Sequence, residues 1–211
     1  EKVGIENYNE FLQNIGIISN LEFDIQEVGT TQLGRWGKCK LATVAFGHGI
    51  ATTLLQLSKG YSIISNGGYE ITPTLLKKEK LQRQRILNEN LSEKINPILR
   101  KIVSTKEGTA GFANVKGYEI GGKTGTADQP SKGGYSKKKV NTFASVFPTS
   151  DPKFVLAVML DEPKANREFI YHYRDDRYPY KGNWRNTAGW TTVWVTGQIM
   201  DKIGPILATK Y

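Results

Sequence analysis

Lys123 lies in the part of the sequence whose residue types are best suited to chemistry. Read from Gly117 to Thr124, that part has the glycine and Lys-Thr spacing of a phosphate-binding loop. In such a loop, backbone N–H groups and the lysine bind phosphates and the Thr hydroxyl binds magnesium. The apolar run with two following acids, Phe154 to Glu162, resembles the strand that completes a nucleotide site. This first pattern would make the chain a nucleotidase.

The residues around Lys123 argue against phosphate binding. A phosphate-binding loop leads directly into a helix whose N-terminus faces the anion. Here Tyr118 and Ile120 alternate as in a strand, and Gly125 to Pro130 is a poor helix start. The segment before Val140 also offers no helix that could connect parallel strands. We therefore expect the nucleotidase interpretation to fail.

Lys123 also begins a second pattern, Lys-Thr-Gly-Thr, which suits the binding of a carboxylate beside a strand. The ammonium of Lys123 attracts a carboxylate and polarises a neighbouring hydroxyl. The hydroxyls of Thr124 and Thr126 can donate hydrogen bonds to the same carboxylate. Gly125 lets a ligand lie against the strand. Lys-Thr-Gly is one of three short motifs of penicillin-binding proteins and serine β-lactamases.

Composition limits the class of protein that carries these residues. The 211 residues include 29 Lys and Arg against 20 Asp and Glu, a net charge of +9, and 38% are apolar. This mixture excludes disordered and collagen-like chains, and the longest apolar run, Phe154 to Leu160, is far shorter than the ~20 residues of a membrane-spanning helix. The single Cys39 cannot form an intrachain disulfide, and no ligand cluster has zinc spacing. We expect no metal and no cofactor.

Hydrophobic periodicity predicts two helices in the first part of the chain. Apolar residues recur at helical spacing from Tyr8 to Ile15, and Gly16 is placed to end that helix. A second helix follows Thr53, which forms a capping-box pattern with Gln56. Asn66 to Gly68 supplies its stop.

Two more helices are predicted in the second part of the chain. One has Asn96 as its cap, carries Pro97 in its first turn and ends before Gly108. The other begins near Thr187 or Ala188 and is stopped by Gly204 and Pro205.

Strands are predicted between these two helices. Tyr118 to Ile120 enters a strand that continues through Lys123 to Thr126, and a loop from Asp128 to Lys139 follows. Val140 to Phe147 and Lys153 to Leu160 are two further strands. The turn between them has five residues, which implies an antiparallel pair.

The chain resembles the C-terminal part of the transpeptidase domain of class B penicillin-binding proteins, especially the septal, cell-division type. The resemblance implies an α/β (α+β) fold, with an antiparallel sheet flanked by helices, and a single partial domain over residues 1–211. Departures at His48 and Leu54 touch none of the chemistry. The matching stretches lie in the family's order and cover nearly the whole chain: Ala45 to Ala51, Leu55 to Gly68, Glu107 to Ala110, Gly117 to Ala127, Gly134 to Ser136, Asp161 to Pro163 and Arg185 to Trp190.

The resemblance implies acyl transfer in the intact protein. A serine attacks the D-Ala-D-Ala amide of a peptidoglycan stem peptide, and the amine of a second stem resolves the acyl-enzyme into a cross-link, while β-lactams mimic the dipeptide. Lys123 would be a catalytic residue that tunes the site, and Thr124, Gly125 and Thr126 would bind substrate. Implied partners are stem peptides, β-lactams and cell-division proteins, and no nucleic acid. The implied location is the periplasmic side of the bacterial inner membrane, with an N-terminal anchor outside these residues.

In members of the family, the motifs Ser-x-x-Lys, which contains the nucleophile, and Ser-x-Asn both come before Lys-Thr-Gly in the sequence. Ser-x-Asn does not occur here. Ser136 to Lys139 matches Ser-x-x-Lys, but it follows Lys123 in a basic stretch, whereas the nucleophile and its lysine belong on one helix turn. We therefore expect no nucleophile in this chain, a nucleophile upstream of Glu1, and no activity from residues 1–211 alone.

Two other predictions follow from charge and from the strands. The net charge of +9 suits a non-catalytic binding module for anionic cell-wall precursors or membrane surfaces, which is an alternative to the enzyme. The family's neighbouring strands would come from upstream, so the apolar strand Lys153 to Leu160 would be left with an unpaired edge. Such an edge predicts a homo-oligomer.

Overall fold

The computed structural model describes residues 3–37, 39–77, 83–132, 134–175 and 178–210. The chain divides into two compact units, Glu1–Glu93 and Lys94–Tyr211, and each has its own hydrophobic core. The single partial domain over residues 1–211 stays a prediction. In the described ranges, no helix has the length and apolar character needed to cross a membrane.

The first unit packs short elements around a small core. Its helices are α1 (Ile5–Asn14), α2 (Lys40–Ala45) and α3 (Leu54–Ser65), and β1 (Gln32–Leu33) pairs antiparallel with β2 (Ile50–Ala51). The buried residues of this core are Leu12, Ile15, Val44 and Ile63. Both predicted helices of this unit are confirmed.

The ends of α3 follow the sequence signals closely. The Thr53 side chain accepts the N–H of Gln56, and the Gln56 side chain accepts the N–H of Thr53, so the capping box is present. After the last helical residue, Gly67 and Gly68 have φ values of 90° and 81°, which glycine adopts without strain. The helix therefore begins and ends where it was predicted to.

The third predicted helix, α4 (Asn90–Ser104), begins earlier than predicted. The backbone N–H of Asn90 donates to Asn88 Oδ1 at 2.9 Å, so the helix starts there and Asn96 is not its cap. Pro97 lies inside the helix, where it has no N–H to donate to the carbonyl of Glu93. The Asn-Pro pair was mistaken for a helix start, whereas the predicted end before Gly108 is confirmed.

The second unit contains a three-stranded antiparallel sheet in the order β3, β4, β5. Its strands are β3 (Gly121–Ser131), β4 (Gly134–Phe147) and β5 (Phe154–Asp161). The predicted antiparallel pairing of β4 with β5 is therefore confirmed, although the connection has six residues because β5 begins at Phe154 and not at Lys153. Among the described residues no strand lies on the far side of β5. The homo-oligomer through that edge stays a prediction.

The predicted loop from Asp128 to Lys139 is wrong. β3 and β4 continue past the end of β5 as a two-stranded ribbon, in which Asp128 pairs with Lys139 and Pro130 with Tyr135. Pro130 is tolerated because it lies on an edge strand at a register shift, where its missing N–H costs no ladder bond. The prediction that Tyr118 to Ile120 is strand is also wrong, since β3 begins at Gly121 and the preceding Glu119 has a φ of 47°.

The unit also contains a short 3-10 helix (Gly111–Ala113), β6 (Ile170–Tyr171), its antiparallel partner β7 (Tyr180–Lys181), and α5 (Thr192–Lys210). α5 begins after the predicted start near Thr187 and continues through Gly204 and Pro205, so both predicted ends are wrong. Gly204 serves packing, because a Cβ there would lie 2.5 Å from Cζ of Tyr118. The Gly-Pro pair predicts a helix stop, but Gly204 instead makes room for the Tyr118 ring.

Candidate functional site

β3 carries all the predicted site residues. Strand alternation puts Thr124 and Thr126 on one face and Lys123 on the other. The Lys123 side chain is exposed, and its Nζ donates to the carbonyl oxygen of Thr124 at 2.7 Å. The structure thus brings the two threonines together and keeps the ammonium on the opposite side of the strand.

Thr124 and Thr126 line a cavity of about 270 Å³, which we call the threonine cavity. Its other walls come from residues before β3 and before α5, namely Thr109, Tyr173, Thr187, Gly189 and Trp190. Sequence reasoning did not name these five as site residues. The stretches Glu107 to Ala110 and Arg185 to Trp190 had matched the family, but the sequence does not show that they meet.

The hydroxyl groups of this cavity are arranged as hydrogen-bond donors. Oγ1 of Thr126 accepts the backbone N–H of Ala188 at 3.0 Å, so its own hydrogen is available to a ligand. Oγ1 of Thr124 and Oγ1 of Thr109 are 3.0 Å apart and share one hydrogen, which leaves the second for a ligand. Two hydroxyl donors on one wall suit a carboxylate.

Two glycines allow the walls of the cavity to approach each other. A Cβ on Gly189 would lie 2.7 Å from the carbonyl oxygen of Thr109, closer than real Cβ contacts. A Cβ on Gly108 would clash with the carbonyl oxygen of Ile102, against which the chain turns before Thr109. The chain therefore reaches the Thr109 position only because both residues lack a side chain.

Asn141 fixes the segment that supplies Ala188. It is fully buried on β4 opposite Thr126, and its Nδ2 donates to the carbonyl oxygen of Asn186 at 2.7 Å and to Oγ1 of Thr191 at 2.8 Å. These bonds tie residues 186–191 to the sheet. Sequence reasoning missed Asn141, because it is one of several polar residues in the predicted strand Val140 to Phe147 and nothing in the sequence distinguishes it from the others.

Aromatic rings hold Trp190 in the cavity wall. Its ring centroid lies between 5.2 and 5.9 Å from those of Phe112, Tyr171, Tyr173 and Tyr180. Burial in this cluster raises the pKa of Tyr171 above its usual value. Because packed aromatic rings leave Trp190 few alternative rotamers, the wall is rigid.

Two glycines of β3 lie in close contact with β4. A Cβ on Gly125 would lie 2.6 Å from Oγ1 of Thr142, and one on Gly122 would lie 2.6 Å from the carbonyl oxygen of Ala144. Within the described part of the chain, β4 is the only strand that pairs with β3. The other edge of β3 can therefore take an extended peptide as an added strand.

The Ser136 and Lys139 side chains of the Ser-x-x-Lys match do not lie next to each other. Residues three apart in a strand point to opposite faces, and Nζ of Lys139 is 3.0 Å from Oδ1 of Asp128. Sequence reasoning overlooked a second Ser-x-x-Lys match, Ser150 to Lys153, in the turn before β5. There the Ser150 hydroxyl donates to the Glu119 carboxylate, and Lys153 pairs with Asp151, so neither match lies on a helix turn.

The phosphate-loop interpretation is wrong for geometric reasons. Lys123 and Thr124 lie within a strand, and the residues after them continue that strand up to Ser131. β3 and β4 run antiparallel, so no crossover helix joins them. A helix N-terminus that could face a phosphate is missing from this part of the described chain.

The family profile described as "Penicillin binding protein transpeptidase domain" matches residues 1–176 of the chain. The chain belongs to this family. The resemblance to class B penicillin-binding proteins found in the sequence is thereby confirmed.

Curated relatives agree with this assignment. "Probable peptidoglycan D,D-transpeptidase FtsI" of Caulobacter vibrioides is 28% identical over 223 residues, which cover 100% of this chain and 36% of the relative. "Stage V sporulation protein D" of Bacillus subtilis is 31% identical over 186 residues, which cover 80% of this chain and 28% of the relative. The chain spans about a third of the length of these relatives.

Solved structures share the fold. The transpeptidase domain of Burkholderia pseudomallei penicillin-binding protein 3 matches 95% of this chain and 57% of its own, with a TM-score of 0.77 and 24% identity. Penicillin-binding protein 3 of Mycobacterium tuberculosis, complexed with ampicillin, matches 96% of this chain and 47% of its own, with a TM-score of 0.75 and 24% identity. The predicted α/β class, with an antiparallel sheet and flanking helices, is confirmed.

Proposed function

We propose that the intact protein is a serine-type peptidoglycan D,D-transpeptidase, and that this chain supplies the part of its site that binds the C-terminal carboxylate of the substrate. One observation carries the proposal: the hydroxyls of Thr124 and Thr126 converge on one cavity beside an open strand edge. Family membership and relatives named D,D-transpeptidases support the reaction class. The substrate would be a stem peptide that ends in D-Ala-D-Ala.

We propose a role for each of these residues. The substrate carboxylate accepts hydrogen bonds from Thr124 and Thr126, and the peptide lies along the outer edge of β3, where Gly125 allows close approach. The backbone N–H near Thr126 donates to the carbonyl oxygen that becomes the oxyanion, a contact typically worth about 10²- to 10³-fold in turnover. Lys123 keeps the potential at this edge positive and tunes the site.

The remaining parts of the proposal concern the intact protein. The serine nucleophile comes from outside residues 1–211, because the family's motif order places it before Lys-Thr-Gly. The protein works on the periplasmic side of the inner membrane, together with cell-division proteins. β-Lactams react with it as substrate mimics, in line with the ampicillin complex of the structural relative from Mycobacterium tuberculosis.

Covalent labelling with a fluorescent penicillin tests this proposal. The intact protein should form an acid-stable label, whereas residues 1–211 alone should form none. Thr126→Val removes a hydroxyl donor, so acylation of the intact protein should slow by at least about tenfold, the effect of one lost charge-assisted hydrogen bond. Lys123→Ala should slow it by a similar factor or more.

Lys132→Ala is the matched control, since it removes an exposed lysine from the tip of the β3–β4 ribbon and should leave the acylation rate unchanged. Labelling of residues 1–211 alone, or equal rates for Thr126→Val and the unaltered protein, would contradict the proposal.

A further inference from the structure

A second cavity of about 430 Å³ adjoins the threonine cavity, and we call it the arginine cavity. Thr187 and Trp190 belong to the walls of both. The residues of the arginine cavity that matter here are Tyr180, Lys181, Trp184 and Arg185. A ligand held at Thr124 and Thr126 can therefore extend past Trp190 into a second, cationic space.

Arg185 is a fixed cation with unused donors. Its Cζ lies 4.0 Å from the ring centroid of Trp190 and 5.0 Å from that of Tyr180, and its Nε donates to the carbonyl oxygen of Lys181 at 2.7 Å. In the ranges that the structure describes, no carboxylate forms an ion pair with Arg185 and its two terminal nitrogens donate to no protein acceptor. A guanidinium held by stacking and left with a free fork suits bidentate binding of a carboxylate.

The backbone around Arg185 is held in place. Gly182 lies so close to Asn166 that a Cβ would clash with its carbonyl oxygen, and the N–H of Gly182 donates to Phe169 at 2.7 Å. β6 and β7 pair through Tyr171 and Tyr180 on the same side. The cavity therefore has a preformed cationic wall.

Trp184 forms an exposed rim beside this wall. Its side chain is 84% exposed, although its backbone has a φ of 62°, which is a strained conformation for a bulky residue. Cζ of Arg167 lies 5.7 Å from the ring centroid. Strained backbone clusters at active sites and ligand clamps, and exposed apolar surface marks interaction sites.

We infer that the arginine cavity is a subsite for a second carboxylate of the ligand, bound by Arg185, with the aliphatic stem beneath that carboxylate lying against Trp184. Lys181 adds positive potential at the mouth. The inference rests on the proposed function, because it takes the ligand to be a peptide whose first carboxylate occupies the threonine cavity. It adds a preference for peptides with an acidic side chain.

Two isosteric peptides test this subsite: N-acetyl-L-Glu-D-Ala-D-Ala and N-acetyl-L-Gln-D-Ala-D-Ala. Binding of each peptide to the full chain, residues 1–211, is followed by calorimetry and by tryptophan fluorescence. The Glu peptide should bind about fivefold more tightly than the Gln peptide, the effect of one partly exposed ion pair. Arg185→Gln should remove this ratio and leave the affinity for the Gln peptide unchanged.

Arg83→Gln is the control for net charge, because it removes one exposed cation from the first unit and should preserve the fivefold ratio. Arg185→Lys keeps the charge but not the fork, so it should give an intermediate ratio even if Arg185→Gln fails to fold. Equal affinities of both peptides for the unaltered chain, or a ratio that persists in both Arg185 variants, would overturn the subsite.

The same measurements distinguish failure of the proposed function from failure of the subsite. If it is wrong, Thr126→Val leaves both affinities unchanged while the Glu-to-Gln ratio still depends on Arg185. If the subsite alone is wrong, Thr126→Val weakens both peptides equally and Arg185→Gln has no effect on their ratio. If neither peptide binds to the unaltered chain, the result counts against both the proposed function and the subsite.

Discussion

Asn141→Ala should destabilise the second unit strongly, because the Asn141 side chain donates one buried and one part-buried hydrogen bond. Its removal leaves the carbonyl oxygen of Asn186 and Oγ1 of Thr191 with one partner fewer in a region where Thr191 is 8% exposed. Each net bond is worth about 1 kcal/mol, and the part-buried carbonyl oxygen of Asn186 that loses its side-chain partner costs about 1 kcal/mol more, whereas Oγ1 of Thr191 keeps its bond to the carbonyl oxygen of Thr187. We expect a total loss of about 3 kcal/mol.

Urea unfolding measures this loss. With a slope of about 2 kcal/mol per molar urea, the midpoint of the second unit should fall by about 1.5 M. Tryptophan fluorescence follows that unit, because Trp190 and Trp194 pack against its core. Hydrogen exchange gives a second readout: the Ala188 amide should lose protection, since it is the group that Asn141 helps to hold against Thr126.

Ser145→Ala is the control for Asn141→Ala. Ser145 lies on the same strand, is also fully buried, and donates one bond to the carbonyl oxygen of Leu156 at 2.9 Å. Its loss should cost about 1 kcal/mol and leave the Ala188 amide protected. If Asn141→Ala costs no more than Ser145→Ala, the account of the 186–191 segment is refuted.

Three further predictions concern stability. Gly122→Ala should cost about 3 kcal/mol, because its Cβ would lie 2.6 Å from the Ala144 carbonyl oxygen, whereas Gly37→Ala, with open space around it, should change the urea midpoint little. Pro97→Ala should raise the free energy of unfolding by about 1–2 kcal/mol, since an N–H becomes available to the Glu93 carbonyl at an exposed position of α4, whereas Pro163→Ala in a loop should give no gain. Burial raises the pKa of Tyr61 from 10.0 to about 12. The neutral phenol therefore stabilises the fold fully below pH 10, and about 2 kcal/mol is lost between pH 10 and 12; Tyr61→Phe should remove that alkaline loss in pH-dependent unfolding.

Local signals explain which elements the sequence predicts well. The capping box of Thr53 and Gln56 and the glycines that follow α3 act within a few residues, so their pattern determines the ends of that helix. Pro97 shows the limit of such signals, since an Asn-Pro pair inside α4 resembles a start when the cap at Asn88 is not recognised. The β3–β4 ribbon was missed because its proline and glycines predict a loop unless the partner strand and its register are known.

The site residues that the sequence predicts are likewise those that are close together in the chain. Lys123 to Thr126 could be found because all four residues are contiguous on one strand. Thr109 and Ala188 could not, because they reach the threonines only through close approaches at Gly108 and Gly189. The predicted strand with its alternation already implies that the Lys123 side chain lies on the other face of β3 from the hydroxyls.

The central claim is that the hydroxyls of Thr124 and Thr126 bind a peptide carboxylate. The most direct measurement is an NMR titration of the full chain with N-acetyl-D-Ala-D-Ala, followed through backbone amide shifts. We predict saturable shifts at Thr124, Thr126 and Ala188 that are lost in Thr126→Val and unchanged in Lys132→Ala. Shifts confined to other parts of the chain, or shifts at these amides that persist in Thr126→Val, would contradict the claim.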